Sequence, residues 1–152
     1  MSEGKISIRS AEPADLDSLV SLLAALFAIE EDFVVDEARQ RRGLTLMFES
    51  ERGCVLVAEA EGRVIGMCSG QLLVSTAEGG LSLLVEDVVV HDQWRGRGVG
   101  RLLMAAIGEW AKVHEVSRLQ LLADRNNIPA LGFYQGLGWQ TTELICLRIS
   151  IQ

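Results

Sequence analysis

Apolar and polar residues alternate over Ile6-Ser-Ile-Arg9, the period of a short strand. From Pro13 the period lengthens. Leu16, Leu19, Val20, Leu22, Leu23, Leu26 and Phe27 share one helical face, and Pro13 suits a first turn, so a helix is expected over about 13–28. The acidic stretch Ile29-Glu-Glu-Asp-Phe-Val-Val-Asp36 reads as a loop, and Asp36 stands as N-cap of a second helical pattern, Glu37 to Phe48. After Gly53, two apolar, β-branched runs, Cys54 to Ala60 and Arg63 to Val74, flank Glu61-Gly62, which reads as the two-residue turn of an antiparallel hairpin. Gly79-Gly80 leads to a further apolar run, Leu83 to Val90. Gly96, Gly98 and Gly100 break it before a helical pattern from Val99 to about His114. Arg118 to Ala123 reads as a strand, Ile128 to about Leu137 as a short helix with Pro129 in its first turn, and Thr141 to Ile151 as closing strand material. The order β, α, α, β, β, β, α, β, α, β, with room for a final β, predicts one α/β domain over residues 1–152 with a mixed sheet.

Composition narrows the function classes. The hydrophobic fraction is 49% and no apolar run reaches the ~20 residues that cross a bilayer, so no membrane partner is expected. The first residues, Met-Ser-Glu-Gly-Lys-Ile-Ser-Ile, lack an apolar core of signal-peptide length, and a cytoplasmic location is the default expectation. A net charge of −7 argues against a general nucleic-acid surface. Cys54, Cys68 and Cys146 are widely spaced in apolar runs without metal-ligand spacing, so they read as small buried hydrophobes and no metal site is expected.

Within this acidic chain, Arg95, Arg97 and Arg101 crowd seven residues around the glycines. A strand, a glycine turn and a helix start form an anion cradle: glycine admits close backbone approach, and the first helical turn offers unpaired N–H groups at the positive end of the dipole. The Gly-x-Gly-x-Gly spacing over 96–100 does not fit a Rossmann fingerprint, and no Gly-Lys-Ser/Thr follows for a Walker loop.

The segment Arg95-Gly-Arg-Gly-Val-Gly100 resembles motif A of the GNAT superfamily of acetyl-CoA-dependent N-acetyltransferases, Arg/Gln-x-x-Gly-x-Gly/Ala, at all three fixed positions, Arg95, Gly98 and Gly100. Downstream, Asn127-Ile-Pro-Ala-Leu-Gly-Phe-Tyr134 through Gly138-Trp139 is similar to the family's Asn-x-x-Ala-x-x-x-Tyr segment ending in Gly-Phe/Trp. The resemblance implies a single N-acetyltransferase domain with a mostly antiparallel sheet of six or seven strands, flanked by helices and containing a splayed parallel pair that admits the cofactor. It also implies that Gly96, Gly98, Val99 and Gly100 hold the pyrophosphate of acetyl-CoA, with Arg95, Arg97 and Arg101 available for charge-assisted contacts. A backbone N–H of the Leu83 to Val90 strand, that of Val88, would serve as oxyanion donor if the strand bulges away from its neighbour, and Val90 would meet the pantetheine arm. Asn127 would contact pantetheine or cap its helix.

The chemistry needs a base and an acid. An alkylammonium near pKa ~10.4 is a free amine in only about one molecule in a few thousand at pH 7, so a proton must leave. Glu86 and Asp87 interrupt an apolar strand, an expensive place for carboxylates. Alternation sends the two to opposite faces, and the resemblance favours Glu86 as general base through a water; pairing with an arginine or capping a turn are the other uses of either residue. Tyr134, the only tyrosine, matches the family position that protonates the departing thiolate. By the same resemblance Glu30, Glu31 and Phe33, between the first two helices, bound the acceptor pocket, and an acidic loop there would attract a cationic amine. Phe33, Trp94 and Trp139 read as packing residues.

The expected activity is direct acetyl transfer from acetyl-CoA to a primary amine of a small molecule or peptide, in a ternary complex, because no cysteine lies in a nucleophile motif. The alternative is an acyl-CoA sensor or partner-binding domain without turnover. Leu144 to Ile151 would be hazardous as a bare sheet edge, and a homodimer through this segment is expected.

Overall fold

In the computed structural model, residues 4–29 and 35–151 are described. They form the strands β1 (Ser7–Ser10), β2 (Gly53–Ala60), β3 (Arg63–Ser75), β4 (Gly80–Val90) and β5 (Val116–Leu121) and the helices α1 (Leu16–Ile29), α2 (Glu37–Glu49), α3 (Val99–Val113) and α4 (Ile128–Gly136). Single 3₁₀ turns, Pro13–Asp15 and Asp92–Trp94, precede α1 and follow β4. Two compact units divide the chain, Met1–Leu121 and Leu122–Gln152.

The first unit holds one five-stranded sheet in the order β1-β2-β3-β4-β5, antiparallel except for the parallel pair β4–β5. The β2–β3 hairpin turns at Glu61-Gly62, where φ is 54° and 72°. Two successive positive φ values match the twist of the flanking strands, which explains the turn read from the sequence. Asp36 caps α2 as expected, its Oδ1 accepting from the Arg39 N–H at 3.1 Å. Arg9 ties β1 to its surroundings through Asp15 (2.8 and 3.0 Å) and Glu59 (2.6 Å). The guanidinium holds the Asp15 carboxyl below its usual range.

Alternation along the strands divides the apolar residues between two faces. On one, Leu19, Val20, Leu22 and Leu23 of α1 and Leu44 of α2 pack with Val55, Val57, Met67 and Val89. On the other, α3 lies so close that Gly66 and Gly70 are needed. A Cβ at Gly66 would meet Val99, Leu103 and the Val89 carbonyl oxygen at 3.1–3.2 Å, and one at Gly70 would meet Leu83 and Ile107. Because one neighbour of Gly66 is backbone, Gly66→Ala is expected to destabilise the fold by about 1–3 kcal/mol. A denaturant midpoint equal to that of the parent would refute the tight fit.

Three expectations are corrected. The sheet has five strands rather than six or seven: residues 141–151 pair with no strand among the described residues, and Leu144, Leu147, Ile149 and Ile151 are exposed. Period-two alternation specifies a face but supplies no neighbouring backbone, and no ladder forms. The fifth strand starts at Val116, two residues before the expected Arg118. Strict alternation also fails inside β4, because Ser69 pairs with Asp87 whereas the adjacent Gly70 pairs with Val85. Glu86 is therefore an extra residue, a β-bulge. Val85 and Asp87, which alternation would place on one face, turn to opposite faces.

Candidate active site

The bulge coincides with a parting of strands. Pairing between β4 and β5 runs from Leu81–Val116 to Val85–Leu121 and then stops, while β4 continues through Glu86 to Val90. Beyond Val85, β4 is paired among the described residues on the β3 side only, with Val88 opposite Cys68 and Val90 opposite Gly66. Glu86 is exposed at the mouth of this gap. Partial burial of its carboxyl, then the neighbouring Asp87, raises its pKa above the ordinary value. Asp87 turns towards the α1/α2 face, where its Oδ2 accepts from the Ser69 hydroxyl at 2.7 Å. Burial raises its pKa, and the Ser69 hydrogen bond opposes the rise.

At the end of β4 the chain makes a 3₁₀ turn and enters the glycine loop. Gly96 and Gly98 have φ of 75° and 83°, a left-handed backbone that favours glycine. Gly98 is the N-cap of α3 and brings no side chain to the first-turn amides, and that turn holds no acidic residue. The three arginines separate into different tasks. Arg95 donates to the Val90 carbonyl oxygen at 3.3 Å and pairs with Asp92 at 3.0 Å, so it fastens the loop to the end of β4. Arg97 lies over the Trp94 ring, 4.8 Å from its centroid. Arg101 is exposed in the first turn and has no ion-pair partner among the described residues.

A cation beside the positive end of a helix opposes the dipole. The uncapped amides and Arg101 together suit an anion. Arg101→Glu is accordingly expected to stabilise the ligand-free protein by about 0.3–1 kcal/mol while weakening acetyl-CoA binding tenfold or more. Thermal unfolding and a binding titration check the two signs, and unchanged affinity would remove Arg101 from the anion site.

The second unit holds the other two candidates. Asn127 is the N-cap of α4, its Oδ1 accepting from the Ala130 N–H at 3.2 Å. Tyr134 sits half-buried on α4, its ring centroid 5.2 Å from that of Phe133 and 5.9 Å from that of Trp139, and its carbonyl accepts from the Trp139 N–H. Glu30, Glu31 and Phe33 lie outside the described residues.

Cys54 and Cys68 are buried as expected, but Cys146 is exposed. Burial pushes the Cys54 thiol up to about 12 and raises that of Cys68, so neither is a ready thiolate. A groove of about 600 Å³ lies elsewhere in the first unit, against Arg9, Asp15, Ser18, Arg63 and His91, and none of the expected site residues lines it. Sequence reasoning missed the Ser69–Asp87 pair. Its signal was a serine inside the apolar run of β3, and only the register with β4 places it opposite a carboxylate.

The family model described as Acetyltransferase (GNAT) family matches residues 18–139. The chain is 26% identical over 142 residues to aminoglycoside N(6')-acetyltransferase type 1 of Stenotrophomonas maltophilia, covering 91% of this chain and 89% of that protein. It is 23% identical to a putative [ribosomal protein bS18]-alanine N-acetyltransferase of Bacillus subtilis, covering 90% and 82%. The fold also matches aminoglycoside N-acetyltransferase AAC(6')-Iy in complex with CoA, with a TM-score of 0.84, 18% identity and coverage of 98% and 97%. A five-stranded mixed sheet with a parting parallel pair, a glycine loop at the start of α3 and a family model spanning most of the sequence agree: the chain belongs to the GNAT acetyltransferase family.

Proposed function

We propose that the protein transfers an acetyl group from acetyl-CoA to a primary amine of a small molecule or peptide, by direct attack in a ternary complex. The observation that carries this reading is the end of β4–β5 pairing at Val85–Leu121, beside the Glu86 bulge and on the strand that leads to the uncapped start of α3. Acetyl-CoA supplies the thioester. The amides of Gly96, Gly98, Val99 and Gly100 bind its pyrophosphate with Arg101, while Arg95 and Arg97 shape the loop that carries them. Val88 and Val90, paired on one side only, face the arm of the cofactor with backbone groups, and the Val88 amide serves the developing oxyanion.

Glu86 takes a proton from the attacking nitrogen through a water, and Tyr134 gives its phenolic proton to the departing sulfur and recovers one from solvent. The balance is R–NH₃⁺ plus acetyl-CoA going to the amide, the CoA thiol and one proton. Asn127 orders the start of α4, and Glu30, Glu31 and Phe33 contribute to the acceptor pocket. The relatives point to the breadth of acceptors, since one is named for aminoglycosides and another for an alanine of a ribosomal protein. The whole chain acts as one catalytic domain, in a cytoplasmic homodimer. Among the described residues no helix is long and apolar enough to cross a membrane.

Release of CoA thiol from acetyl-CoA is the test, with aminoglycosides, polyamines, amino acids and peptide N-termini offered in turn. Thiol release above the amine-free rate with at least one of these is expected. Tight acetyl-CoA binding with no release across the panel would replace the enzyme by a sensor.

A further inference from the structure

Asp87 has no part in the transfer described above, and its surroundings are unusual for a carboxylate. Ser69, itself 1% exposed, donates its hydroxyl to Oδ2 at 2.7 Å. No Lys or Arg pairs with Asp87 among the described residues. Oδ1 receives no hydrogen bond from any described residue, and no buried side-chain oxygen among them is without a partner, so Oδ1 reaches solvent. The residue stands directly after the Glu86 bulge, two positions past the last pairing with β5. Its side chain is on the α1/α2 face, because its partner Ser69 lies between Cys68 and Gly70, which both face α3.

A carboxylate oriented by one hydroxyl, with its other oxygen open and no counter-charge, is completed by a cationic donor. We propose that Asp87, oriented by Ser69, receives the ammonium group of the acceptor on the α1/α2 face of the sheet, and so selects amines that arrive as cations. The proposal rests on the acetyl-transfer reading and deepens it by naming the residue that holds the ammonium group of the acceptor and the face of the sheet on which it is held. Asp87 is a binding residue here, and the proton leaves the nitrogen towards Glu86. Burial works against the ionised Asp87 in the empty protein, and a bound ammonium offsets that cost.

The experiment is a calorimetric titration of CoA-saturated protein with spermidine, a polycation that cannot react without an acetyl donor. Asp87→Asn is expected to weaken spermidine binding about tenfold or more, and Ser69→Ala, which keeps the charge and removes its orientation, about threefold. Glu109→Gln removes one negative charge from the exposed surface of α3, where the glutamate pairs with Lys112, and is expected to change the affinity less than about twofold. Asp87→Asn also removes a partly buried charge with no counter-charge, so its thermal midpoint at pH 7 is expected to rise. That sign separates lost binding from lost folding. Should Asn instead prevent folding, Ser69→Ala reads the same contact.

Equal weakening by Asp87→Asn and Glu109→Gln would mean that spermidine is held by overall charge, and would overturn the proposal. So would a wild type that binds CoA but not spermidine. A missing CoA isotherm would overturn the acetyl-transfer reading itself, and the Asp87 assignment with it.

Discussion

Tyr134→Phe is expected to lower kcat by about 10²–10⁴-fold, the usual worth of a positioned general acid, while leaving the affinity for acetyl-CoA nearly unchanged. The thiolate that departs has a conjugate acid near pKa ~8.5, against ~10 for a phenol. The mismatch of about 1.5 units amounts to roughly 2 kcal/mol, small enough for the proton to move as charge develops on sulfur. Phenylalanine keeps the ring and its packing beside Phe133 and Trp139, so α4 should hold its shape and only the hydroxyl is lost. Steady-state turnover with a competent amine, read beside a direct binding titration, separates chemistry from affinity. Wild-type turnover in the variant would take Tyr134 out of the mechanism.

Glu86→Gln is expected to cost a similar factor at neutral pH and to alter the form of the pH profile. A base must be ionised to accept a proton. With the Glu86 pKa raised by partial burial and by Asp87, the acid limb of kcat/KM should lie above the ordinary carboxylate value of ~4.3. Activity falls as pH drops through the raised pKa and is regained above it. The glutamine variant should lose that limb and show a low rate with little pH dependence on the acid side. Survival of the limb in Glu86→Gln would assign it to another group and leave Glu86 without the role of base.

Local signals were read correctly where local chemistry decides. The Glu61-Gly62 turn, the Asp36 cap and the glycines before α3 each need a particular residue at a particular backbone angle or hydrogen bond, and the residue names the need. Registers were not legible. The bulge at Glu86 depends on how β3 pairs with β4 some seventeen residues away, and alternation within β4 alone implied a regular strand. The same limit applies to residues 141–151, whose alternation is real but which join no strand among the described residues.

In the candidate site the sequence identified the loop, the strand and α4. It did not divide labour among the arginines, because the partners of Arg95 and Arg97 come from the geometry of the Asp92–Trp94 turn. The Ser69–Asp87 contact stayed hidden for the reason the bulge did: it joins two strands through a register that no single strand encodes.

The way β5 is fastened has a consequence for motion. Among the described residues β5 is hydrogen-bonded to β4 alone of the strands, and its side-chain ties to Glu78, from Ser117 and Arg118, gather at its beginning. The far end, Leu119 to Leu121, carries no such tie among the described residues. Opening of this strand is thus polarised: amide protons near Leu121 should exchange through small local fluctuations, whereas those of β3, paired on both sides, exchange only when the sheet itself gives way. One wall of the gap can therefore breathe without disturbing the core, and filling the gap would slow exchange first at the end of β5 where pairing stops.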